Sequence, residues 1–358
     1  MTVDIIRQRL YNQRLTPDKF TRPEQVVGWF GAMQAQSYHA SRWAVGLRCD
    51  NGADAAVQQA INDKRIVRTW LLRGTLHLAA ADDVRWLLTL LAPRLLAGSV
   101  RRHQQLDLDE TTFARSHEVL QQALSGGQQL TRAEVMAALE QAGISTAGQR
   151  GYHMLWHAGL HQLTCFGPPQ GKQETFVLLD DWVPQGRILA RETAVAELAQ
   201  RYFRSHGPAS LADFIWWSGL KTAVARAALE AIHPGLHEET VAEQTYYWLP
   251  PETEIPREPP PAVYLLPAFD EYFLGYQLRQ AMLDSDYNPR VVSSNGIFRP
   301  MVVIDGQIVG IWKQAVKQDT VVITPDLFRT LGAAELEALR QAAGQYGVFL
   351  GKTAVLAA

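Results

Sequence analysis

Two glutamines one residue apart, Gln34 and Gln36, are the pair whose type and spacing point most directly to chemistry. On an α-helix each residue turns about 100°, so residues two apart point about 200° from each other and cannot share a face. In an extended segment they point the same way. The helical pattern before them runs out near Met33, and Ser37-Tyr38-His39 has no helical pattern. Both amides are therefore expected to project together from beyond a helix end. The plain alternative is two glutamines at a helix end, where the residue is common.

Other routes to chemistry are weaker. The chain has no Gly-x-Ser-x-Gly, no His-Glu-x-x-His, no phosphate-cradling loop and no dinucleotide fingerprint. Gly167-Pro168-Pro169-Gln170-Gly171-Lys172 lacks the final Lys-Ser/Thr placement and reads as a loop at a hairpin tip, where Lys172 either touches a phosphate or is solvated. His153, His157 and His161 share one helix face, a spacing a metal can use, but no ligand of another type accompanies them, so they read as packing residues. Cys49 and Cys165 lie far apart in no ligand spacing, which excludes a disulfide framework and argues against structural zinc. No cofactor or metal is expected.

The elements that would position the glutamines repeat. In the first segment a helix starts at Ile5-Ile6. Thr21 and Glu24 form a capping box for a second helix carrying Val26, Val27, Phe30 and Met33. A third helix covers about 54–62. Two strands, 66–72 and 75–78, then flank Arg73-Gly74 as a tight hairpin. The second segment has a helix over 113–124, a capping box at Thr131 and Glu134, a helix over 152–160, and strands 162–166 and 175–179. The third has a helix over 192–204, a cap at Ser210-Leu211-Ala212-Asp213, a helix over 223–231, and strands 237–241 and 245–249. Helices closed by a hairpin, three times over, follow the order of the winged helix, whose third helix and wing face nucleic acid.

A proline-rich linker, Pro250-Pro251 through Pro261, separates these segments from a strand-rich remainder. There 263–266, Val291-Val292, 296–304, 307–312 and 320–323 read as strands, Asp305-Gly306 as a two-residue turn, and about 333–346 as a helix. The expected fold is α+β: three tandem winged-helix units at 1–105, 106–184 and 185–255, then a β-barrel at 256–358.

A chain of 358 residues, 47% hydrophobic and 20% charged, suits several ordinary cores rather than disorder. Its net charge of −2 is unevenly spread: residues 1–105 carry 15 Lys and Arg against 8 Asp and Glu. That is how a localised polyanion site would look, and also how ordinary surface charge can fall. The N-terminus has no signal-peptide pattern, and the longest apolar run, 86–97, is interrupted by Pro93 and Arg94, so a cytosolic protein is expected.

Longer motifs carry a resemblance. Gly31-Ala32-Met33-Gln34-Ala35-Gln36 is followed by the run 67–78, Val-Arg-Thr-Trp-Leu-Leu-Arg-Gly-Thr-Leu-His-Leu, then by Ala80-Ala81-Asp82-Asp83 and Leu90-Leu91-Ala92-Pro93-Arg94. Gly207-Pro208-Ala209-Ser210, Trp217-Ser218-Gly219-Leu220, the long run 265–276, Asn295-Gly296-Ile297-Phe298-Arg299-Pro300 and Val309-Gly310-Ile311-Trp312 come later. In this order they resemble the winged-helix DNA glycosylases of the AlkZ/YcaQ type, whose members include glycosylases that unhook interstrand crosslinks.

The resemblance implies tandem winged helices and a barrel around duplex DNA, and hydrolysis of the N-glycosidic bond of alkylated purines by a monofunctional enzyme. It makes Gln34 and Gln36 the catalytic pair, in the Gln-x-Gln form associated with crosslinks. Arg73-Gly74 at the hairpin tip becomes a groove or phosphate contact, with Thr75 and His77 beside it, although His77 and Trp70 also fit core positions. Arg42, Arg68, Arg94, Arg101 and Arg102 are further candidate phosphate contacts, some of which would instead pair with Asp82 or Asp83. Asp270 and Tyr272 are candidate cleft residues, with the role of Asp270 open and that of Glu271 read as structural. A monomer acting on nucleoid DNA of a prokaryotic cell is expected. The competing readings are a non-enzymatic winged-helix DNA-binding protein or regulator, and a protein-interaction module.

Overall fold

The computed structural model describes residues 3–251, 255 and 261–357. Most of the expected proline-rich linker lies outside the described residues. The chain divides into two compact units. One, the inserted unit, is Gln58–Ala194; the other is discontinuous, built from Met1–Val57 and Val195–Ala358.

In the inserted unit the two hairpins of the first and second segments merge into one antiparallel sheet. Leu76–Ala80 pairs with Ile66–Trp70, which meets Thr164–Gln170 through Arg68 and Phe166; Gln173–Leu178 and the short Leu130–Thr131 follow. The loop expected at 167–172 is mostly strand, with an irregularity between Gly167 and Gln170, so only the Gly171-Lys172 tip turns. Trp70, Phe166 and Phe176 meet in series as tilted rings, centroids 4.9 and 4.8 Å apart, and Trp70 lies against Gly159 of helix Arg150–Leu160. Helix Ala81–Gln105 is 25 residues long and continues through Pro93. No element is assigned there from the sequence pattern, and an interior proline removes one hydrogen bond and normally ends a helix. Burial of Val84, Trp86, Leu87, Leu88, Leu90 and Leu91 outweighs that loss. The expected box at Thr131 is present: Glu134 accepts the Thr131 N–H at 2.7 Å and Thr131 Oγ1 accepts the Glu134 N–H.

In the discontinuous unit, helices Ile5–Asn12, Pro23–Phe30 and Tyr38–Gly46 come from the N-terminal part. The second helix is capped differently from expectation. Gln25, not Glu24, reaches back to the Arg22 N–H at 3.1 Å, and Thr21 Oγ1 donates to the same Gln25 oxygen. Helix Tyr38–Gly46 has no counterpart in the sequence pattern. Its aromatic and glycine-ended sequence is a poor helix former in isolation, and tertiary burial of Trp43, Ala44 and Val45 decides it. Helices Arg191–Ser205, Leu211–Ser218 and Thr222–Ile232 and the hairpin of His237–Val241 with Gln244–Trp248 follow, close to their expected bounds. Ser210 and Asp213 form the reciprocal cap, at 2.9 and 3.1 Å.

The C-terminal strands make one five-stranded sheet, ordered Thr353–Leu356, Thr320–Leu327, Gln307–Val316, Met301–Ile304, Val263–Leu266. It is a half-barrel rather than a closed barrel, and its first pair is parallel. Asp305-Gly306 forms the expected tight turn, with φ of 49° and 81°. Val291-Val292 is not a strand: Asn288–Val291 is a short helix, and Val292 makes a single bridge to Phe298. The closing helix, Ala333–Leu350, covers the sheet. Trp43 ties the N-terminal helices to this sheet by donating to the Leu265 carbonyl at 2.7 Å while its ring meets Tyr346 at 5.0 Å.

Candidate active site

Helix Pro23–Phe30 ends at Gly31, whose φ of 81° is open to glycine at low cost, and the chain turns into the two-residue extended segment Met33–Gln34. Gln36 lies in a bend, and Ser37 leads into the next helix. The tripeptide therefore sits between two helices, off the helical backbone as expected, but the two glutamines differ in setting. Gln34 is 7% exposed; Ala35 is buried; Gln36 is exposed. The Gln34 side-chain oxygen accepts the Ala35 N–H at 3.1 Å, which takes one of its two acceptor positions and fixes the direction of the amide.

The backbone of Gln34 is braced from 237 residues away. Its N–H donates to Glu271 Oε1 at 2.8 Å. The other carboxylate oxygen, Oε2, accepts the Trp217 indole N–H at 3.0 Å and lies 3.4 Å from His206 Nε2. Glu271, Trp217 and His206 are all at most 1% exposed. Burial lowers the pKa of His206, so the ring is neutral near pH 7. Its Nδ1 lies 2.8 Å from Ser205 Oγ. Sequence reasoning gives Glu271 only a structural part and passes over His206; no local signal ties either residue to Gln34.

Asp270 and Tyr272, expected at a cleft, are buried. Asp270 accepts both Arg48 terminal nitrogens, at 2.9 and 2.8 Å, and caps the short helix Glu271–Leu274 through the Tyr272 N–H at 2.9 Å. The Tyr272 hydroxyl donates to the Gly306 carbonyl at 2.8 Å. These contacts seat Glu271 rather than line a surface.

The expected DNA contacts fall into two groups. Arg42 is held by Asp54 at 2.9 Å, beside His39 and over the Tyr38 ring. Arg68 is held by Glu174 at 2.7 Å and lies over Phe166. His77 is fully buried, with Nδ1 2.9 Å from the Thr75 carbonyl. The hairpin tip carries three residues rather than two, Leu72-Arg73-Gly74, with φ of 56° and 77° at Arg73 and Gly74. It packs rather than protrudes: Trp156 donates to the Gly74 carbonyl at 3.2 Å, and Thr75 Oγ1 donates to the Leu72 carbonyl. Arg94, Arg101, Arg102 and Lys172 are exposed. On helix Ala81–Gln105 the seven-residue spacing of Arg94 and Arg101 puts those two on one face, with Arg102 about 100° round from Arg101. Asp83 pairs with Arg187 at 3.3 Å and takes the Trp86 indole at 2.8 Å.

His157 stacks on Phe113, centroids 3.8 Å apart, and its Nδ1 lies 3.0 Å from His117 Nε2. Burial pushes His117 down to about 4 and His157 to about 3, so both are neutral packing groups. Among the described residues no group of three His, Cys, Asp or Glu is placed to hold a metal, and no helix is long and apolar enough to cross a membrane.

A half-barrel and repeated helix-and-hairpin runs, with a Gln-x-Gln off the helical backbone whose Gln34 N–H is held by a buried carboxylate, agree with the class suggested by the motifs. A family model described as "DNA glycosylase AlkZ-like" matches residues 27–349. The chain belongs to this family of AlkZ-like DNA glycosylases. It is 26% identical over 335 residues, 88% of each chain, to an interstrand DNA cross-link repair glycosylase of Streptomyces sahachiroi. Its fold matches the solved structure of Streptomyces sahachiroi DNA glycosylase AlkZ with a TM-score of 0.79, at 23% identity and 98% coverage of both chains.

Proposed function

We propose that this chain hydrolyses the N-glycosidic bond of N7-alkylated purines in duplex DNA, and that it unhooks interstrand crosslinks attached through such purines. Gln34 and Gln36 are its catalytic amides. The observation that carries the reading is a braced, off-helix Gln-x-Gln in a member of this glycosylase family. The relative from Streptomyces sahachiroi supports the crosslink substrate by its name.

The chemistry suits amides. A purine alkylated at N7 is cationic. As its bond to C1′ breaks, the base keeps both bonding electrons and leaves neutral, so little help from a general acid is required. The deoxyribose becomes oxocarbenium-like. A water oxygen then bonds to C1′ and its proton passes to solvent. Amide oxygens orient that water and place negative dipole density beside the developing cation, and their gain comes from being fixed beforehand. No amine nucleophile takes part, so the enzyme is monofunctional. A crosslinked base is tethered to the opposite strand and cannot swing into a deep pocket, so the substrate is met in an open cleft.

The three helix-and-hairpin runs act as tandem winged helices on DNA. Arg94, Arg101, Arg102 and Lys172 supply phosphate contacts without giving up a carboxylate partner, whereas Arg42 and Arg68 contact DNA only by exchanging one. The protein works as a monomer, without a cofactor, on nucleoid DNA. The regulator reading has no observation in its favour, and the family match runs against it.

The test is base release from a duplex carrying N7-methylguanine or an N7-linked crosslink. The wild-type chain leaves an abasic site that alkali cleaves, and borohydride traps no enzyme–DNA adduct. Gln34→Ala with Gln36→Ala releases no base but still binds the duplex. Binding without release by the wild type, or release by the double variant at the wild-type rate, overturns the assignment.

A further inference from the structure

We infer that Glu271 is the positioning residue of the Gln34-Ala35-Gln36 motif, acting as a double acceptor that sets the plane of the Gln34 peptide. This rests on the proposal that Gln34 is catalytic.

Two N–H donors converge on different oxygens of one carboxylate: the Gln34 backbone on Oε1 at 2.8 Å and the Trp217 indole on Oε2 at 3.0 Å. His206 Nε2 lies 3.4 Å from the second oxygen. A carboxylate presents acceptors at both positions, whereas a carboxamide replaces one with an NH2 donor. The anchor itself does not move. The Glu271 carbonyl accepts the Gln13 side chain and the Gly275 N–H, and the preceding Asp270 is clamped by Arg48. Gly275 has no room for a side chain, since a Cβ there would lie 2.4 Å from the His206 ring and 2.6 Å from the Glu271 carbonyl. Glu271 thus transmits a rigid frame to the one peptide from which the Gln34 side chain springs. A rotation of that peptide would carry the amide oxygen away from the reacting sugar.

The geometry makes an unusual demand of the variants. In Glu271→Gln the amide must turn its NH2 either at the Gln34 N–H or at the Trp217 N–H. The chain is then pushed at one of these two places. Adding Trp217→Phe removes one donor and keeps an aromatic ring against Tyr202 and His206. The glutamine oxygen can then serve Gln34 alone, with its NH2 turned toward the neutral His206.

The experiment is single-turnover base release from an N7-methylguanine duplex at saturating protein, with duplex affinity measured on the same variants. Glu271→Gln is expected to slow release by about 10²-fold, the scale of a misplacement near 1 Å, with duplex affinity unchanged. The double variant Glu271→Gln with Trp217→Phe recovers most of the loss that Glu271→Gln shows alone. A purely structural role would make the two changes add instead. Glu271→Gln at the wild-type rate, or a double variant as slow as Glu271→Gln, overturns the inference. Should Glu271→Gln fail to fold, amide hydrogen exchange of the wild-type protein decides: strong protection of the Gln34 N–H supports the brace, and exchange at the rate of open chain removes it. If the wild type releases no base, the functional reading falls, and Gln34 exchange still reports on the brace separately.

Discussion

Replacing Asp270 by alanine leaves the Arg48 guanidinium charged and out of water. Both side chains are fully buried and bonded through two N–H···O contacts at 2.9 and 2.8 Å. Breaking a buried pair by removing one partner costs about 3–5 kcal/mol. The loss of the Asp270 cap on the Tyr272 N–H adds about 1 kcal/mol. Arg48 keeps the carbonyls of Ala44 and Gln13, each at 2.8 Å, and the Gln13 side chain at 3.1 Å, which holds the pair term toward its low end. About 3–5 kcal/mol in all is therefore expected. For a unit of 150–250 residues each kcal/mol is worth roughly 2–4 °C, so the discontinuous unit should melt ~6–20 °C lower. The assay is thermal and urea unfolding followed by tryptophan fluorescence, with the transition of this unit, which holds Trp43 and Trp217, separated from that of the inserted unit, which holds Trp70, Trp86, Trp156 and Trp182. The partner experiment is Arg48→Met with Asp270→Leu. Exchange of a buried pair for apolar groups is often neutral, so the double variant should recover at least half of the loss. A shift below about 1 kcal/mol for Asp270→Ala would show that the guanidinium is not held as a desolvated charge, and the reasoning would fail.

Acid stability of the inserted unit should depend on the His117–His157 pair. Their folded pKa values, about 4 and about 3, lie below the ordinary 6.5, so the folded state binds fewer protons than the unfolded chain below that pH. Their stabilising contribution is complete above pH 6.5 and declines as the pH falls toward 4 and 3. The melting temperature should drop over that window, and His117→Gln with His157→Gln should flatten the drop; an unchanged slope removes these residues from the account. On the DNA side, Arg94→Gln with Arg101→Gln should reduce the slope of log affinity against log salt by about 1.8, near 0.9 for each phosphate that is no longer neutralised. Filter binding at several salt concentrations measures it, and an unchanged slope excludes that helix face from binding phosphate.

Local chemistry was the legible part of this chain. The boxes at Thr131 with Glu134 and Ser210 with Asp213, and the turn at Asp305-Gly306, depend on side chains within a few residues and are readable from the sequence. Elements decided by tertiary burial are not. Helix Ala81–Gln105 hides behind Pro93, and helix Tyr38–Gly46 starts on residues that favour no helix alone. The joining of two hairpins at Arg68 and Phe166, and the half-barrel in place of a closed barrel, depend on pairings far apart in the chain. The same holds at the candidate site. Gln34 and Gln36 stand out through a spacing no helix can use, and their place off the helix is readable from where the pattern ends. Their brace is not, because nothing near Gln34 announces a carboxylate at position 271. Exposure of the cations is equally hidden: Arg42 and Arg68 look like Arg94 and Arg101 in sequence, and only the fold gives the first two a carboxylate.

The insertion of Gln58–Ala194 within the discontinuous unit sets a timetable for synthesis. Gln34 leaves the ribosome long before the residue that holds it. At roughly 5–20 residues per second, Glu271 follows roughly 10–50 s later, and the inserted unit is complete in between. A growing chain can thus carry a folded inserted unit while its glutamine motif is still unbraced. A truncated product ending before Glu271 would lack the carboxylate that holds the Gln34 N–H.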